Sequence, residues 1–141
     1  TPLHFSCFCG SSPETIRLVI GEEICLREMV DRRGRTPLHC VCAGFRSPHR
    51  LPVVKMLLEL DPSCATAVDE RGRTPLSLIV DDYVEELHDA LQASTEIALK
   101  ATLEGGDLYD CWKVVTFLLR AAYSGTLEDN NARNNEVHVD G

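Results

Sequence analysis

The stretch Asp31-Arg-Arg-Gly-Arg-Thr-Pro-Leu-His39 decides the fold, because the chain contains near copies of it. One copy is Asp69-Glu-Arg-Gly-Arg-Thr-Pro-Leu-Ser77, and its second half also occurs as Thr1-Pro-Leu-His4. The threonines of the three copies are 35 and 38 residues apart. Similarity within a chain at a period of this length is the signature of a repeat architecture.

A second motif follows each copy of the first. It reads Thr15-Ile-Arg-Leu-Val-Ile20, Val53-Val-Lys-Met-Leu-Leu58 and Val114-Val-Thr-Phe-Leu-Leu119. From the second motif to the next threonine the distance is 21 residues both times, whereas from the threonine to the second motif it is 14, 17 and 40. All length variation therefore falls between the two motifs. This favours a rigid unit of two helices and a finger-like turn, with a tolerant loop connecting the helices.

The residues at the expected ends of the helices and in the turns are consistent with this two-helix unit. Thr36 is expected to cap a helix, with Pro37 in the first turn, where its fixed φ and missing N–H cause no loss. The second helix is apolar on almost every side, as a helix covered by several neighbours must be. The Asp-x-x-Gly sequences before two of the threonines predict tight turns in which Gly34 and Gly72 have positive φ.

These residues resemble the ankyrin repeat, whose hallmark is Thr-Pro-Leu-His followed by a Val-Val-x-Leu-Leu-Leu helix at a period of about 33. The resemblance covers residues 1 to about 123. It implies an all-α fold, a helical-repeat solenoid with short β-type finger loops. We expect an ankyrin-repeat domain over 1–124, with repeats at about 1–30, 31–68 and 69–124, and a mobile tail over 125–141. Because Thr1 begins a repeat without a preceding finger, further repeats are expected upstream.

The third repeat departs from the pattern and predicts an elaborated end of the array. No Gly or Pro occurs between Pro75 and Gly105, and small or apolar residues recur there at helical spacing. One long helix, or two in line, is therefore expected. Residues 81–110 carry nine acidic residues against Lys100 alone, a net charge of −8. We interpret this acidic insertion as a solubilising cap of the array, with docking of a basic partner as the alternative.

Composition and charge exclude several classes of function. The 141 residues are 44% hydrophobic, and 14 basic against 22 acidic residues give a net charge of −8. A body this acidic repels phosphate backbones, so nucleic acid is not expected as a partner. No apolar run approaches the roughly 18 residues of a membrane-spanning helix, so no membrane is expected either.

Two kinds of residue look like metal ligands or catalytic bases but are interpreted as structural. By the resemblance, His4 and His39 bridge loops through hydrogen bonds. The cysteines of two Cys-x-Cys pairs are interpreted as packed thiols, with a zinc site as the alternative. These cysteines are Cys7, Cys9, Cys40 and Cys42.

Carboxylate pairs offer no better evidence of catalysis. The pairs Asp81–Asp82 and Glu85–Glu86 are expected on a solvated helix face, where nothing raises a carboxyl pKa. The sequence contains no phosphate-binding loop, nucleophile elbow or His-Glu-x-x-His zinc motif. We therefore predict no catalytic residue, no metal and no cofactor.

The finger turns hold the residues that we expect to bind a partner. Five of the 14 cations lie there: Arg32, Arg33, Arg35, Arg71 and Arg73. A guanidinium group suits carboxylates and is common among interface anchors. By the resemblance, the adjoining concave surface is lined by Phe8, Cys9, Ala43, Phe45, Asp81 and Asp82. The alternative is that the finger arginines are solvated and paired with Asp31, Asp69 and Glu70.

These observations predict a non-catalytic protein–protein interaction scaffold that binds another protein through its finger loops and concave face. Its surface side chains are held in place before binding, so they lose little entropy in the complex. Seven cysteines and no visible secretory signal favour an intracellular location, cytoplasmic or nuclear. We also expect the chain to be a monomer. The alternatives are a regulatory or targeting array of a larger enzyme or ubiquitin-ligase adaptor, and a purely structural spacer.

Overall fold

The computed structural model describes residues 1–21, 25–92 and 110–123. The helices are α1 (Pro2–Phe8), α2 (Pro13–Ile20), α3 (Pro37–Ala43), α4 (Arg50–Leu60) and α5 (Pro75–Gln92), with a 3₁₀ helix (Pro62–Thr66) after α4. Residues 110–123 form a further helix, α6. No strand occurs within the three described ranges, and the predicted all-α fold class is confirmed.

The first helices of the three units, α1, α3 and α5, begin in the same way. Thr1 and Thr36 are N-caps whose hydroxyl oxygens accept the N–H of His4 and His39, and a proline follows each threonine. In the third unit the hydroxyl of Thr74 accepts the N–H of Ser77 at 3.2 Å. The cap predicted at Thr36 is confirmed, and the cap and proline set where each helix starts.

The helices pack in pairs, and the pairs pack side by side. Helix α3 lies between α1 and α5, while α2 packs on α1, α4 packs on α3, and α2 contacts α4. The core follows this stack, and five apolar side chains of α4 are buried in it: Val53, Val54, Met56, Leu57 and Leu58. Each such side chain contributes about 1.5–3 kcal/mol when it is fully removed from water. Neighbouring pairs thus bury surfaces that a single pair would expose.

Helix α6 completes the third unit. Its apolar residues Cys111, Val114, Val115 and Leu118 belong to the same core. The Trp112 ring lies 6.1 Å from the ring of Tyr83 on α5. The predicted second helix of this unit is therefore confirmed over 110–123.

Helix α5 continues well beyond the length of α1 and α3, as the absence of Gly and Pro predicts, and is helical through Gln92. The rest of the predicted long helix and of the acidic insertion falls within 93–109, outside the described residues. The predicted mobile tail also lies outside them, and the repeat boundaries remain a prediction. Within the described ranges, the helices are too short or too polar to cross a lipid bilayer.

Candidate partner-binding surface

Two finger turns, residues 31–35 and 69–73, have the same backbone geometry. The N–H of Asp31 donates to the carbonyl of Arg35 at 3.0 Å, and the N–H of Asp69 donates to the carbonyl of Arg73 at 2.9 Å. Gly34 has a φ of 69°, a left-handed conformation that only glycine adopts without strain. The predicted tight turns are confirmed.

Each finger is organised by its aspartate. In the first, one carboxylate oxygen of Asp31 accepts the backbone N–H groups of Arg33 and Arg35, at 2.8 and 3.0 Å. The other carboxylate oxygen pairs with the Arg35 guanidinium at 2.7 Å. Burial opposes ionisation of Asp31, but these hydrogen bonds outweigh it and lower its pKa to about 2. The carboxylate is therefore a fixed structural anion at neutral pH.

The second finger repeats this arrangement around Asp69, whose side chain is buried. It accepts the N–H groups of Arg71 and Arg73, both at 2.9 Å, and pairs with the Arg73 guanidinium at 2.8 Å. Burial again opposes ionisation, and the hydrogen bonds from Arg73 and Arg71 again prevail, lowering the pKa of Asp69 to about 2. Arg35 and Arg73 thus hold their own fingers together.

The other three finger arginines are exposed. Arg32, Arg33 and Arg71, here called the fingertip arginines, form no ion pair with any residue in the described ranges. The two fingers are joined directly, since the N–H of Glu70 donates to the carbonyl of Arg33 at 3.1 Å. The five predicted arginines therefore divide into two structural residues and three exposed residues.

The motif histidines tie fingers to helices. The Nε2–H of His39 donates to the carbonyl of Arg73 at 2.9 Å, while Nδ1 accepts the N–H of Thr36 at 3.1 Å. In the preceding unit, Nε2 of His4 lies 2.9 Å from the carbonyl oxygen of Arg35. Burial lowers the pKa of both histidines, against the effect of these carbonyls. The structural interpretation of His4 and His39 is confirmed.

An aromatic pair lies at the far end of α1 and α3. The Phe8 and Phe45 rings meet edge to face with their centroids 5.6 Å apart, and the N–H of Phe45 donates to the carbonyl of Phe8 at 2.9 Å. The approach requires Gly44, where any Cβ would clash with that carbonyl. Phe45 is 66% exposed, so this contact leaves an aromatic face open to solvent.

The first finger and α1 enclose a shallow groove of about 710 Å³. Five of its lining residues define what we call the finger groove: Phe5, Phe8, Val30, Arg32 and Arg33. The groove therefore joins two classes of predicted binding residue, fingertip arginines and an aromatic ring of the concave surface. Grooves of this kind combine an apolar floor with a polar edge that orients a ligand.

Comparison with models of protein families gives a match in the middle of the chain. Residues 33–69 match the family model of the ankyrin repeat. This segment is therefore similar to an ankyrin repeat. It extends from one finger to the next and includes α3, α4 and the 3₁₀ helix. A repeat of this family indicates a protein-interaction scaffold. Comparisons with curated proteins and with solved structures each found no match.

Two predicted residues on α5, next to the ankyrin repeat, have different environments. Asp81 is exposed. Asp82 instead pairs with Arg46 at 3.1 Å and with Arg50 at 3.0 Å. Burial opposes ionisation of Asp82, but hydrogen bonds from the two arginines prevail and lower its pKa. The expectation of a solvated face is therefore wrong for Asp82, because the loop before α4 and the first residue of α4 each bring a cation to it.

Sequence reasoning missed Arg46 and Arg50. Arg50 is buried, and its guanidinium also donates to the carbonyl of Gly44 at 2.8 Å. This arginine therefore links the loop before α4 to α5 of the next unit. One signal was available: Arg46 precedes Asp82 by 36 residues, about one ankyrin-repeat period, which places opposite charges on neighbouring units.

The cysteines of the two Cys-x-Cys pairs do not share one environment. Cys7, Cys40 and Cys42 are buried, whereas Cys9 is exposed. Burial raises the pKa of Cys7 and Cys42 to about 12 and that of Cys40 to about 11. Such thiols remain protonated at neutral pH and pack as small apolar groups. No cluster of three or more candidate metal ligands occurs in the described part of the chain.

Proposed function

We propose that the chain is a non-catalytic protein-binding module, which holds a partner protein by its fingertip arginines and the adjoining concave surface. One observation supports this most directly. Within the same two turns, Arg35 and Arg73 are held by carboxylates, whereas the fingertip arginines are exposed and lack an ion pair with the described residues. Arginine is enriched among residues that dominate binding energy at interfaces.

The mechanism is preorganisation. The aspartate hydrogen bonds fix the backbone from which the fingertip side chains project, and the histidines fix each finger to a buried helix. A partner therefore meets a backbone that is already ordered, and only the ends of the arginine side chains lose freedom. We propose that the module acts as a monomer inside the cell.

Charge reversal at the equivalent fingertip positions tests this function. The double variant Arg33→Glu/Arg71→Glu leaves the Asp31–Arg35 and Asp69–Arg73 pairs in place. Its control is Arg17→Glu/Arg120→Glu, which reverses two exposed cations on α2 and α6. Immobilised wild type and both variants are used to capture proteins from a lysate of the source cell, with quantification by mass spectrometry.

We expect proteins retained by the wild type to fall at least tenfold on the fingertip variant and to remain on the control. All three chains should keep the same melting temperature within a few degrees, since exposed substitutions change stability little. Equal capture by all three chains would place the binding surface away from the fingers.

A further inference from the structure

Five of the seven prolines in the chain follow a serine or a threonine. In four of these pairs the hydroxyl residue accepts a backbone N–H at the start of a helix, and the proline is the first residue of that helix. These four pairs are Thr1-Pro2, Ser12-Pro13, Thr36-Pro37 and Thr74-Pro75. The fifth pair, Ser47-Pro48, caps no helix, because α4 begins later, at Arg50, and has no side-chain cap. Helix capping therefore does not account for it.

Ser47-Pro48 lies in the loop between α3 and α4, where another protein can reach it. No residue of 45–49 belongs to a helix, and Pro48 and His49 are exposed. The hydroxyl of half-buried Ser47 donates to the carbonyl of Gly10 at 2.9 Å and accepts the N–H of His49 at 3.1 Å. These bonds join residues of loops, so the loop can open without unfolding of a helix.

A serine that is followed by proline in such a loop has the form of a target of proline-directed protein kinases. These enzymes bind the acceptor residue in an extended conformation, which the residue before a proline favours. A proline after the acceptor also leaves no N–H without a partner in the kinase cleft. In the four capping pairs, by contrast, the helix fixes the backbone that a kinase must extend. Ser47-Pro48 is the pair that the fold leaves outside a helix start.

Ser47 borders a cavity of about 400 Å³ between this loop and the start of α6. Its lining includes three cations and one carboxylate: Arg46, Arg50, Lys113 and Asp110. Asp82 pairs with both arginines, and Asp110 pairs with Lys113 at 3.1 Å. Arg50 is 7% exposed, and its Nε lacks a hydrogen-bond partner. Among the described residues, three cations here thus face two carboxylates, a local excess of positive charge on an acidic chain.

A phosphate on Ser47 suits these surroundings. It carries a charge of about −1.5 to −2 near neutral pH and presents three acceptor oxygens. The dianion has no proton to donate to the Gly10 carbonyl, whose oxygen repels it, whereas guanidinium and ammonium groups attract it. We infer that Ser47 is a phosphorylation site for a proline-directed protein kinase, and that the cations lining the cavity hold its phosphate. This site does not depend on the proposed partner-binding surface.

The transfer uses MgATP bound by the kinase. The Ser47 oxygen attacks the γ-phosphorus of ATP, a new O–P bond forms, and the O–P bond to ADP breaks. The hydroxyl proton passes to the catalytic carboxylate of the kinase, and the products are phosphoserine and ADP. The phosphate thereby removes the hydrogen bond between Ser47 and Gly10, which joins the loops of the first two units.

Phosphorylation of the native chain by a purified, activated mitogen-activated protein kinase tests the site. The wild type, Ser47→Ala and the control Ser12→Ala are incubated with the kinase and MgATP, and the phosphate at each residue is quantified by peptide mass spectrometry. A synthetic peptide of residues 44–51 measures whether the kinase accepts the sequence itself. We expect most of the phosphate on Ser47 in the native wild type. Total phosphate should fall at least about tenfold in Ser47→Ala and change less than twofold in Ser12→Ala.

Titration of the phosphorylated chain by phosphorus NMR tests whether the cations hold the phosphate. The second pKa of phosphoserine is about 6, and neighbouring cations lower this pKa because they favour the dianion. We therefore expect a lower pKa in the folded chain than in the phosphorylated peptide. The variants Arg46→Gln and Lys113→Gln should each raise the pKa toward the peptide value. The control Arg120→Gln, which replaces an exposed cation of α6, should leave it unchanged.

Several results would overturn the inference. Phosphorylation of the peptide but not of Ser47 in the native chain would show that the fold closes this loop to kinases. A kinase that rejects the peptide, or phosphate that accumulates mainly on Ser12 or on a capping threonine, would also remove the site. A phosphate pKa that equals the peptide value and stays unchanged in Arg46→Gln and Lys113→Gln would show that these cations do not hold the phosphate.

Discussion

Replacement of His39 by alanine provides a quantitative test of how the fingers are held. The ring is fully buried, and both nitrogens are used: Nδ1 accepts the N–H of Thr36, and Nε2–H donates to the carbonyl of Arg73. His39 therefore connects the start of α3 to the finger of the next unit, 34 residues away in sequence.

The magnitude follows from these contacts. His39→Ala leaves the Thr36 N–H and the Arg73 carbonyl without their partner, and a buried unsatisfied group costs about 1–3 kcal/mol. The missing ring also leaves a void within the core. Together we expect a loss of about 3–5 kcal/mol, a large part of the roughly 5–15 kcal/mol that stabilises a small domain.

Urea unfolding followed by far-ultraviolet circular dichroism measures this loss. The matched control is His49→Ala, because His49 is exposed and its side chain caps no helix. The control should change the free energy of unfolding by less than about 0.5 kcal/mol. If His39→Ala costs no more than His49→Ala, the ring does not hold the finger and the reasoning fails.

The same histidine predicts a pH dependence. Burial lowers the pKa of His39 below its ordinary value of 6.5, partly opposed by the hydrogen bond to Arg73. The unfolded chain therefore binds a proton at a pH where the folded chain does not. The stabilisation is complete above about pH 6.5 and is lost as the pH falls below it. The difference in stability between wild type and His39→Ala should shrink from pH 7 to pH 5, and a constant difference would contradict this.

Two further predictions concern packing. Leu18 is 86% exposed, whereas Met56, which occupies the equivalent position of the next unit, is 4% exposed. Thermal melts should therefore show little change in stability for Leu18→Glu. The variant Met56→Glu buries an unpaired charge and should lower the stability by at least about 3 kcal/mol. A thiol reagent at pH 8 should modify exposed Cys9 in the native chain and buried Cys42 only after urea unfolding. Peptide mapping of the modified chain measures both reactions. Equal rates of modification of Cys9 and Cys42 in the native chain would contradict the burial of Cys42.

Much of the scaffold could be predicted because its signals are local. Thr36 caps its helix through a hydrogen bond to a residue three positions later in the sequence. The finger turn needs only Asp31 and a glycine three positions after it. The ion pairs within the fingers also had a sequence signal. In both Asp31–Arg35 and Asp69–Arg73 the two residues are four positions apart. This spacing could have distinguished Arg35 and Arg73, which form ion pairs within their fingers, from the other three finger arginines.

The contacts between units could not be predicted in this way. Asp82 was expected to be solvated, and its partner Arg50 lies 32 residues away, at the start of α4 and after a loop of irregular length. Whether a helical carboxylate meets a guanidinium or water depends on which side chains the neighbouring unit brings to it. The shared groove of Phe8 and the fingertip arginines likewise depends on how closely the finger approaches α1.

The order of its residues alone determined that this chain is a tandem array of capped helix pairs, because caps, prolines and glycine turns act within a few residues and recur with the period. Stacking of the pairs decided that Asp82 is neutralised by Arg46 and Arg50 of the unit before it, and which thiols are buried. These properties depend on groups more than 30 residues apart in the sequence, which come into contact only when one pair packs on the next. No local sequence pattern specifies such contacts.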